Sequence, residues 1–314
     1  MLLLSDEDVL GHVDMPTAIR VIRTAFEEQA AGTLVAPPRH SISSPNGKLV
    51  FTAGAATGKR DDNANVIGFR VYPAFMTGDQ VVDDQMVVVY NADNGALKGV
   101  ITGRYLGALR TGAINGIAAE HMARRDAEVL SVIGAGFQAM TQVQAVMAAR
   151  PNIEKILIYS RTKAVADDFK QSLEQQFNAS IQVLRSPESA VQTADILITA
   201  TSSKTPVIDE DWIKPGTHIN SIGPKFNKAH ELPKDINRRI DLLVTDSLAQ
   251  IHGYDRPYFL GEHVSMLGLE KLVVGSHPGR ESDEEITLFS SVGLAGTEVV
   301  LANYLIDKFA QADT

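Results

Sequence analysis

The sequence predicts an α/β protein: a doubly wound parallel sheet of the Rossmann type, with a smaller α+β unit ahead of it. Three observations carry this. From Asp126 onward, apolar β-type runs alternate with helical patterns, as a βαβ array requires. The first of these runs, Val129–Ile133, ends in Gly134-Ala135-Gly136-Phe137-Gln138-Ala139 and passes directly into a helical pattern. Strand, GxGxxA turn and helix together have the form of a dinucleotide-binding turn. Before residue 120, by contrast, short strands are broken by turn residues without βαβ alternation.

Composition narrows the class. The chain has 314 residues, a net charge of −9 and no cysteine. Disulfides, thiolate nucleophiles and cysteine-based metal sites are therefore excluded, and no HExxH or other metal-ligand spacing occurs, so no metal is expected. The acidic balance, without a basic run, argues against nucleic acid as a partner. The opening MLLLSDEDVL has too short an apolar run for a secretory leader or a membrane span. A cytoplasmic enzyme with no membrane partner is the expectation.

In chain order, Asp14-Met15-Pro16 reads as a capped helix start, with Ile19, Ile22 and Phe26 at helical spacing and Gly32 as the stop. Arg39–Ser43 and Lys48–Ala53 flank Pro45-Asn46-Gly47, a hairpin signal. Val66–Tyr72 and Met86–Tyr90 are further strands, followed by an Asp93-Asn94-Gly95 turn. Residues 103–125 are helical, and Arg110 and Gly112 interrupt their apolar face. The βαβ region then offers six strands: Val129–Ile133, Ile156–Tyr159, Ile181–Leu184, Ile196–Thr199, His218–Ile222 and Leu242–Val244. Ile286–Ser290 is a possible seventh, ahead of a final helix over 293–310. The expected domains are residues 1–120 with 294–314, and residues 121–293.

Gly134 permits a tight turn, Gly136 lets backbone approach a pyrophosphate, and Ala139 keeps the helix close to the strand. The helix N-terminus then faces the phosphates. At the end of the second strand an NAD site usually carries an acid for the ribose 2′-hydroxyl; here stand Ser160-Arg161-Thr162. Hydroxyls and a guanidinium suit a 2′-phosphate, so NADP(H) is favoured over NAD(H). Thr199-Ala200-Thr201 and Ile222-Gly223 fall at the carboxyl edge of the sheet, where an open α/β fold keeps its ligand crevice.

Several stretches, in order over nearly the whole chain, resemble the ornithine cyclodeaminase/mu-crystallin family. They are Pro37-Pro38-Arg39, Gly68-Phe69-Arg70, Leu109–Ala113, Gly134–Ala139, Ala194-Asp195-Ile196, Pro215–Asn220, Glu231-Leu232 and Ser291-Val292-Gly293. The resemblance implies a substrate-binding and dimerisation domain, completed by the C-terminal helix, beside the dinucleotide domain. It also implies a homodimer, and hydride transfer between a nicotinamide and the α-carbon of a small anionic amino or imino acid. Arg39 and Arg110 match its substrate-carboxylate ligands, Thr111 a position near the cofactor phosphates, and Gly293 a cofactor contact. Two departures stand out. Arg70 replaces a usual lysine, keeping the charge but holding its proton too tightly for ready acid–base work. It suits a second anionic group, the stabilisation of developing charge, or simply the same contact. Lys225 stands where ornithine cyclodeaminase has an aspartate; it suits proton donation or a distal carboxylate, or is a solvated loop residue. The implied function is an imino-acid reductase or amino-acid dehydrogenase, with Arg70 and Lys225 as candidate catalytic groups. The alternatives are an ornithine cyclodeaminase and a mu-crystallin-like NADPH- and ligand-binding protein. Three cationic side chains around one substrate point towards a dicarboxylate.

Overall fold

The computed structural model describes residues 1–58, 65–77, 80–81, 84–261 and 263–312. The chain divides into two compact units, Met1–Ala113 with Gly293–Thr314, and Ile114–Val292.

The first unit opens with β1 (Leu2–Leu4), α1 (Asp6–His12) and α2 (Met15–Ala31). Asp14 caps α2 by accepting from the Thr17 N–H, and Gly32 closes it in the left-handed conformation at φ 73°. Strands β2 (Leu34–Val35), β3 (His40–Ser44), β4 (Gly47–Ala56), β5 (Val66–Thr77), β6 (Gln80–Val81), β7 (Met86–Asn91) and β8 (Leu97–Thr102) follow. They form a mixed sheet of order β1-β8-β7-β5-β4-β2, with β3 on β4 and β6 on β5. Only β1–β8 is parallel among these pairs. The hairpin expected around Pro45-Asn46-Gly47 is β3–β4. Strand β8 has no counterpart in the sequence expectation, because Leu97-Lys98-Gly99 carries little of the alternation that marks a strand.

Helix α3 (Tyr105–Met122) contains the boundary between the units, at Ala113/Ile114, where the pattern change near 120 sets the expected one. The second unit then runs β9 (Val129–Ile133), α4 (Phe137–Ala149), β10 (Lys155–Tyr159), α5 (Lys163–Glu174), β11 (Ser180–Val183), α6 (Pro187–Thr193), β12 (Ile196–Thr199) and β13 (His218–Ser221). A two-stranded hairpin, β14 (Lys225–Phe226) with β15 (Ala229–His230), precedes β16 (Leu242–Thr245), α7 (Leu248–His252), β17 (Leu267–Gly268), α8 (Leu269–Val273) and β18 (Thr287–Ser290). Helix α9 (Thr297–Ala312) returns to the first unit, where it packs on β5, β7 and β4.

The second sheet is wholly parallel, in the order β11-β10-β9-β12-β13-β18-β16-β17. Its strand order reverses between β9 and β12, the switch point at which such folds bind their ligands. Six strands are expected from the pattern and the sheet has eight. The possible strand near 286–290 sits between β13 and β16, so Leu242–Thr245 is displaced outward. All four residues of β18 are buried, as a central strand covered on both faces requires. Helices α4 and α5 pack Val143, Val146, Phe169 and Leu173 on Leu130, Val132, Ile156 and Ile198. The opposite face buries Leu197, Ile219, Leu243 and Leu288 with Val191, Ile236 and Phe259.

One carboxylate pins the amino edge of this sheet. Asp195 accepts from the N–H groups of Glu128 and Val129, both at 3.0 Å, and from Arg124 and Lys214 at 3.2 and 3.0 Å. It thereby ties the start of β9 to the start of β12. Burial pushes its carboxyl up, but the backbone donors of Glu128 and Val129 and the Lys214 ammonium outweigh this and hold it below the usual range. A group depressed in the folded state contributes stability above its unfolded value and loses it as pH falls through the folded one. Asp195→Ala is expected to cost roughly 3 kcal/mol at neutral pH. The deficit should shrink below about pH 4, where the unfolded-state carboxylate protonates, and denaturant melts across pH measure it.

Candidate active-site residues in the two units

The first unit gathers three arginines. Arg110, on α3, is 7% exposed and Arg70, on β5, is half-buried. Their guanidinium groups share one oxygen of Glu298, at 3.0 Å from Arg110 Nη2 and 3.1 Å from Arg70 Nη1. Glu298, in the first turn of α9, is 1% exposed. Burial alone would raise its carboxyl, but the Arg110 and Arg70 charges outweigh burial and hold it below the usual carboxylate range. Arg70 also donates to Gln85 Oε1 and lies over the Tyr72 ring, 4.5 Å from its centroid. Arg39 donates from Nη1 to the hydroxyl of the same tyrosine at 3.4 Å.

Two glycines make room for these heads. A Cβ on Gly107 would stand 2.7 Å from Arg70 Nη2. Gly293, at φ +88°, has Arg110 Nη1 and Arg39 Nη2 each 3.0 Å from the place of a Cβ. Arg39, Arg70 and Arg110 therefore converge, with Gly293 against two of them. Thr111 follows Arg110, and its hydroxyl donates to the Gly107 carbonyl at 2.8 Å. Glu298, Tyr72 and Gln85 have no place in the sequence reading. An acid in the first turn of a helix reads as a complement to the helix dipole, which conceals the second role of Glu298.

In the second unit, the turn after β9 has the conformation its glycines suggest. Gly134 stands at φ +104°, donates its N–H to the Tyr159 carbonyl, and would drive a Cβ into the Ala200 carbonyl oxygen. Gly136 is the N-cap of α4, no side chain caps that end, and a Cβ there would project into open space. Phe137 is exposed, Gln138 is half-buried, and Ala139 is fully buried against the sheet. This is a cradle whose floor is closed and whose mouth is open, and it fits a dinucleotide pyrophosphate. Ser160 is half-buried and Arg161 and Thr162 are exposed, past the end of β10. Arg161 makes no ion pair among the described residues.

Glu231 organises the carboxyl edge. Fully buried, it accepts from Thr199 Oγ1 at 2.8 Å, Ser221 Oγ at 3.0 Å and the Gly223 N–H at 2.6 Å through one oxygen. Through the other it accepts from the N–H and hydroxyl of Thr201, at 3.0 and 2.9 Å. The loops after β12 and β13 are thus tied to one carboxylate, with Ala200 and Ile222 half-buried between its donors. Lys225 is 4% exposed and donates to the Gly223 carbonyl at 2.7 Å, so it is no solvated loop residue. His218 opens β13 at the amino edge, away from the carboxyl-edge loops. It bonds Thr287 Oγ1 and Asn220 Oδ1, and burial with the nearby Arg280 charge brings it down to about 3. His230 bonds the Leu232 carbonyl and stacks on Phe259. Among the described residues, no group of three or more metal-ligating side chains occurs.

The model of the ornithine cyclodeaminase/mu-crystallin family matches residues 1–313. The chain belongs to this family. A Δ1-pyrroline-2-carboxylate reductase of Bacillus cereus is 30% identical, covering 98% of this chain and 96% of its own. The Thermococcus litoralis Δ1-pyrroline-2-carboxylate reductase, solved with NADH and L-proline, superposes with a TM-score of 0.85 at 29% identity. That match covers 100% of this chain and 99% of the other. An archaeal alanine dehydrogenase, a dimer with bound NAD, superposes with a TM-score of 0.87 at 27% identity, covering 100% and 97%. The Rossmann-type fold of the second unit is shared across these structures, and no described helix is long and apolar enough to cross a membrane.

The two glycines of the turn should separate on substitution. Gly134→Ala, strained at positive φ and against backbone, is expected to cost more than about 1 kcal/mol and lower the melting temperature. Gly136→Val should leave the melting temperature nearly unchanged while abolishing NADPH and NADH binding by fluorescence titration.

Proposed function

We propose that this member of the family is an NAD(P)H-dependent reductase of a small imino acid, catalysing in reverse an amino-acid dehydrogenation. The observation that carries the reading is the arginine set held by Glu298, Tyr72 and Gln85 within one unit. Guanidinium forks match a carboxylate in two places and so fix the α-carbon to which they are attached. A bound nicotinamide dinucleotide supplies the hydride from its C4. Hydride adds to the imine carbon, and the electron pair of the broken C=N π bond stays on nitrogen as the amine forms. Arg39 and Arg110 grip the substrate carboxylate, with Gly293 keeping the space between them clear. Gly134, Gly136 and the α4 N-terminus hold the pyrophosphate, and Ala139 lets that helix sit close.

The cofactor form we favour is NADP(H), on Arg161 and the hydroxyls of Ser160 and Thr162 in a loop without an acid. Lys225 is the candidate proton donor to a nascent amine. Its buried ammonium, spent in part on the Gly223 carbonyl, cannot take a proton from a distal substrate amine, which speaks against ornithine cyclodeamination. The assembly we favour is a homodimer. Cross-strand neighbours put Leu3, Ile42, Leu49, Ile67, Met86 and Leu97 on one face of the first sheet, all exposed in the single chain. A second copy covering that face would bury them, and the archaeal alanine dehydrogenase is itself a dimer. Ile67→Asp should then shift the protein to a monomer in sedimentation.

Purified protein with NADPH or NADH should be offered Δ1-pyrroline-2-carboxylate and its six-membered homologue, then 2-oxoacids with ammonia or methylamine, at several pH values. Oxidation of the cofactor by a cyclic imine is expected, and oxidation by none of them sinks the reading. Arg161→Ala should raise KM for NADPH by about tenfold and leave NADH nearly unchanged. Equal effects on both cofactors would defeat the NADP(H) assignment alone.

A further inference from the structure

We infer that Glu298 is a positioning residue that divides the three arginines, turning Arg70 into a support and leaving a clamp for a single carboxylate. The inference rests on the carboxylate-binding reading above and narrows it. Arg70 has three fixed engagements: Nη1 on Glu298, Nη2 on Gln85, and its plane over Tyr72. Both ends of its fork are therefore spent on protein groups. Arg39 and Arg110 are engaged too, through Nη1 on the Tyr72 hydroxyl and Nη2 on Glu298, but the other terminal nitrogens, Arg39 Nη2 and Arg110 Nη1, meet beside Gly293, each 3.0 Å from the place of a Cβ. The space beside a glycine, between two converging forks, is shaped for one planar anion.

Charge leads to the same result. Three guanidinium groups alone would favour a doubly negative ligand, as the sequence reading expects. Glu298 is ionised, being held below the usual carboxylate range by Arg110 and Arg70 against its own burial. It cancels one of the three charges at contact distance. Two positive charges remain, and the forks of Arg39 and Arg110 bring them to one place beside Gly293, where a single carboxylate bridges both; a second carboxylate would have to displace Glu298 from Arg70. Glu298 lies in the first turn of α9, so the helix N-terminus adds to what holds it ionised.

The test uses two planar probes that cannot be reduced, picolinate and quinolinate, which differ by one carboxylate. Binding to the full-length protein is measured by calorimetry with saturating NADPH, and NADPH affinity and melting temperature are recorded for each variant. The wild type is expected to bind picolinate at least about tenfold more tightly than quinolinate. Glu298→Gln keeps the side-chain volume and removes the charge, and should move that ratio about tenfold or more towards quinolinate. Glu298→Asp, retaining the charge, should restore the wild-type preference even where stability falls. A ratio unchanged in Glu298→Gln, or a wild type that prefers quinolinate, overturns the inference and leaves the carboxylate-binding reading standing. A wild type that binds neither probe overturns both. With Δ1-pyrroline-2-carboxylate as substrate, Glu298→Gln should lower kcat more than it raises KM, because the forks remain present but lose their fixed geometry.

Discussion

Like charges do not gather in a partly buried site unless something holds them there. Two unit charges about 4 Å apart repel by about 4 kcal/mol at the effective dielectric of a protein near its surface. Arg70 and Arg110 nonetheless reach the same carboxylate oxygen, and Arg39 meets Arg110 across Gly293. Glu298 is the group that makes this possible, and its own burial is tolerable only because both cations face it. The rest of the first unit follows from that arrangement. Gly107 gives up a side chain to let Arg70 in, Tyr72 supplies both a ring for Arg70 and a hydroxyl for Arg39, and α9 must pack on β5 for Glu298 to arrive at all.

The second unit uses buried carboxylates for a different end. Asp195 and Glu231 sit at opposite edges of one parallel sheet, and each collects donors from two adjoining strands or their loops. Asp195 faces two cations and two backbone N–H groups, and so resembles an ion pair built into the strand starts. Glu231 is surrounded by hydroxyls and N–H groups instead. The donors of Thr199, Thr201, Ser221 and Gly223 therefore point at protein. Gly223 gives up its side chain to the same carboxylate, since a Cβ there would run into Glu231.

Much of this was readable from local patterns, and the exceptions share a physical character. Strands β9, β10 and β12, the glycine turn and the caps of α2 are all written in a few adjacent residues, whose sterics act at short range. The insertion of β18 between β13 and β16 is not written locally: strand order depends on which apolar faces meet, and periodicity is silent about that. Glu298 was hidden for the opposite reason, since a sufficient local explanation existed for it. The burial of Lys225 depended on a hairpin of two-residue strands, too short to carry any period. Ser290, at the end of β18, likewise accepts from the hydroxyl of Tyr258 at 2.8 Å, a partner thirty-two residues away.

An arginine at position 70 also bears on which direction and substrate the proposed chemistry suits. Oxidative release of ammonia from an amino acid needs water to add to an imine and a proton to move between oxygen and nitrogen. A guanidinium held by Glu298 cannot relay that proton, because its own affinity for hydrogen is too high and its fork is already engaged. Reduction of an imine that is already protonated makes no such demand. The positive charge on nitrogen is the driving force for hydride addition, and accepting the electron pair neutralises it without any proton transfer. Arg70 then has only to keep its charge and its place, which Glu298, Gln85 and Tyr72 ensure. Under the proposed function, then, Arg70 need not do a lysine's acid–base work, and any proton the product amine takes up falls to Lys225 or solvent.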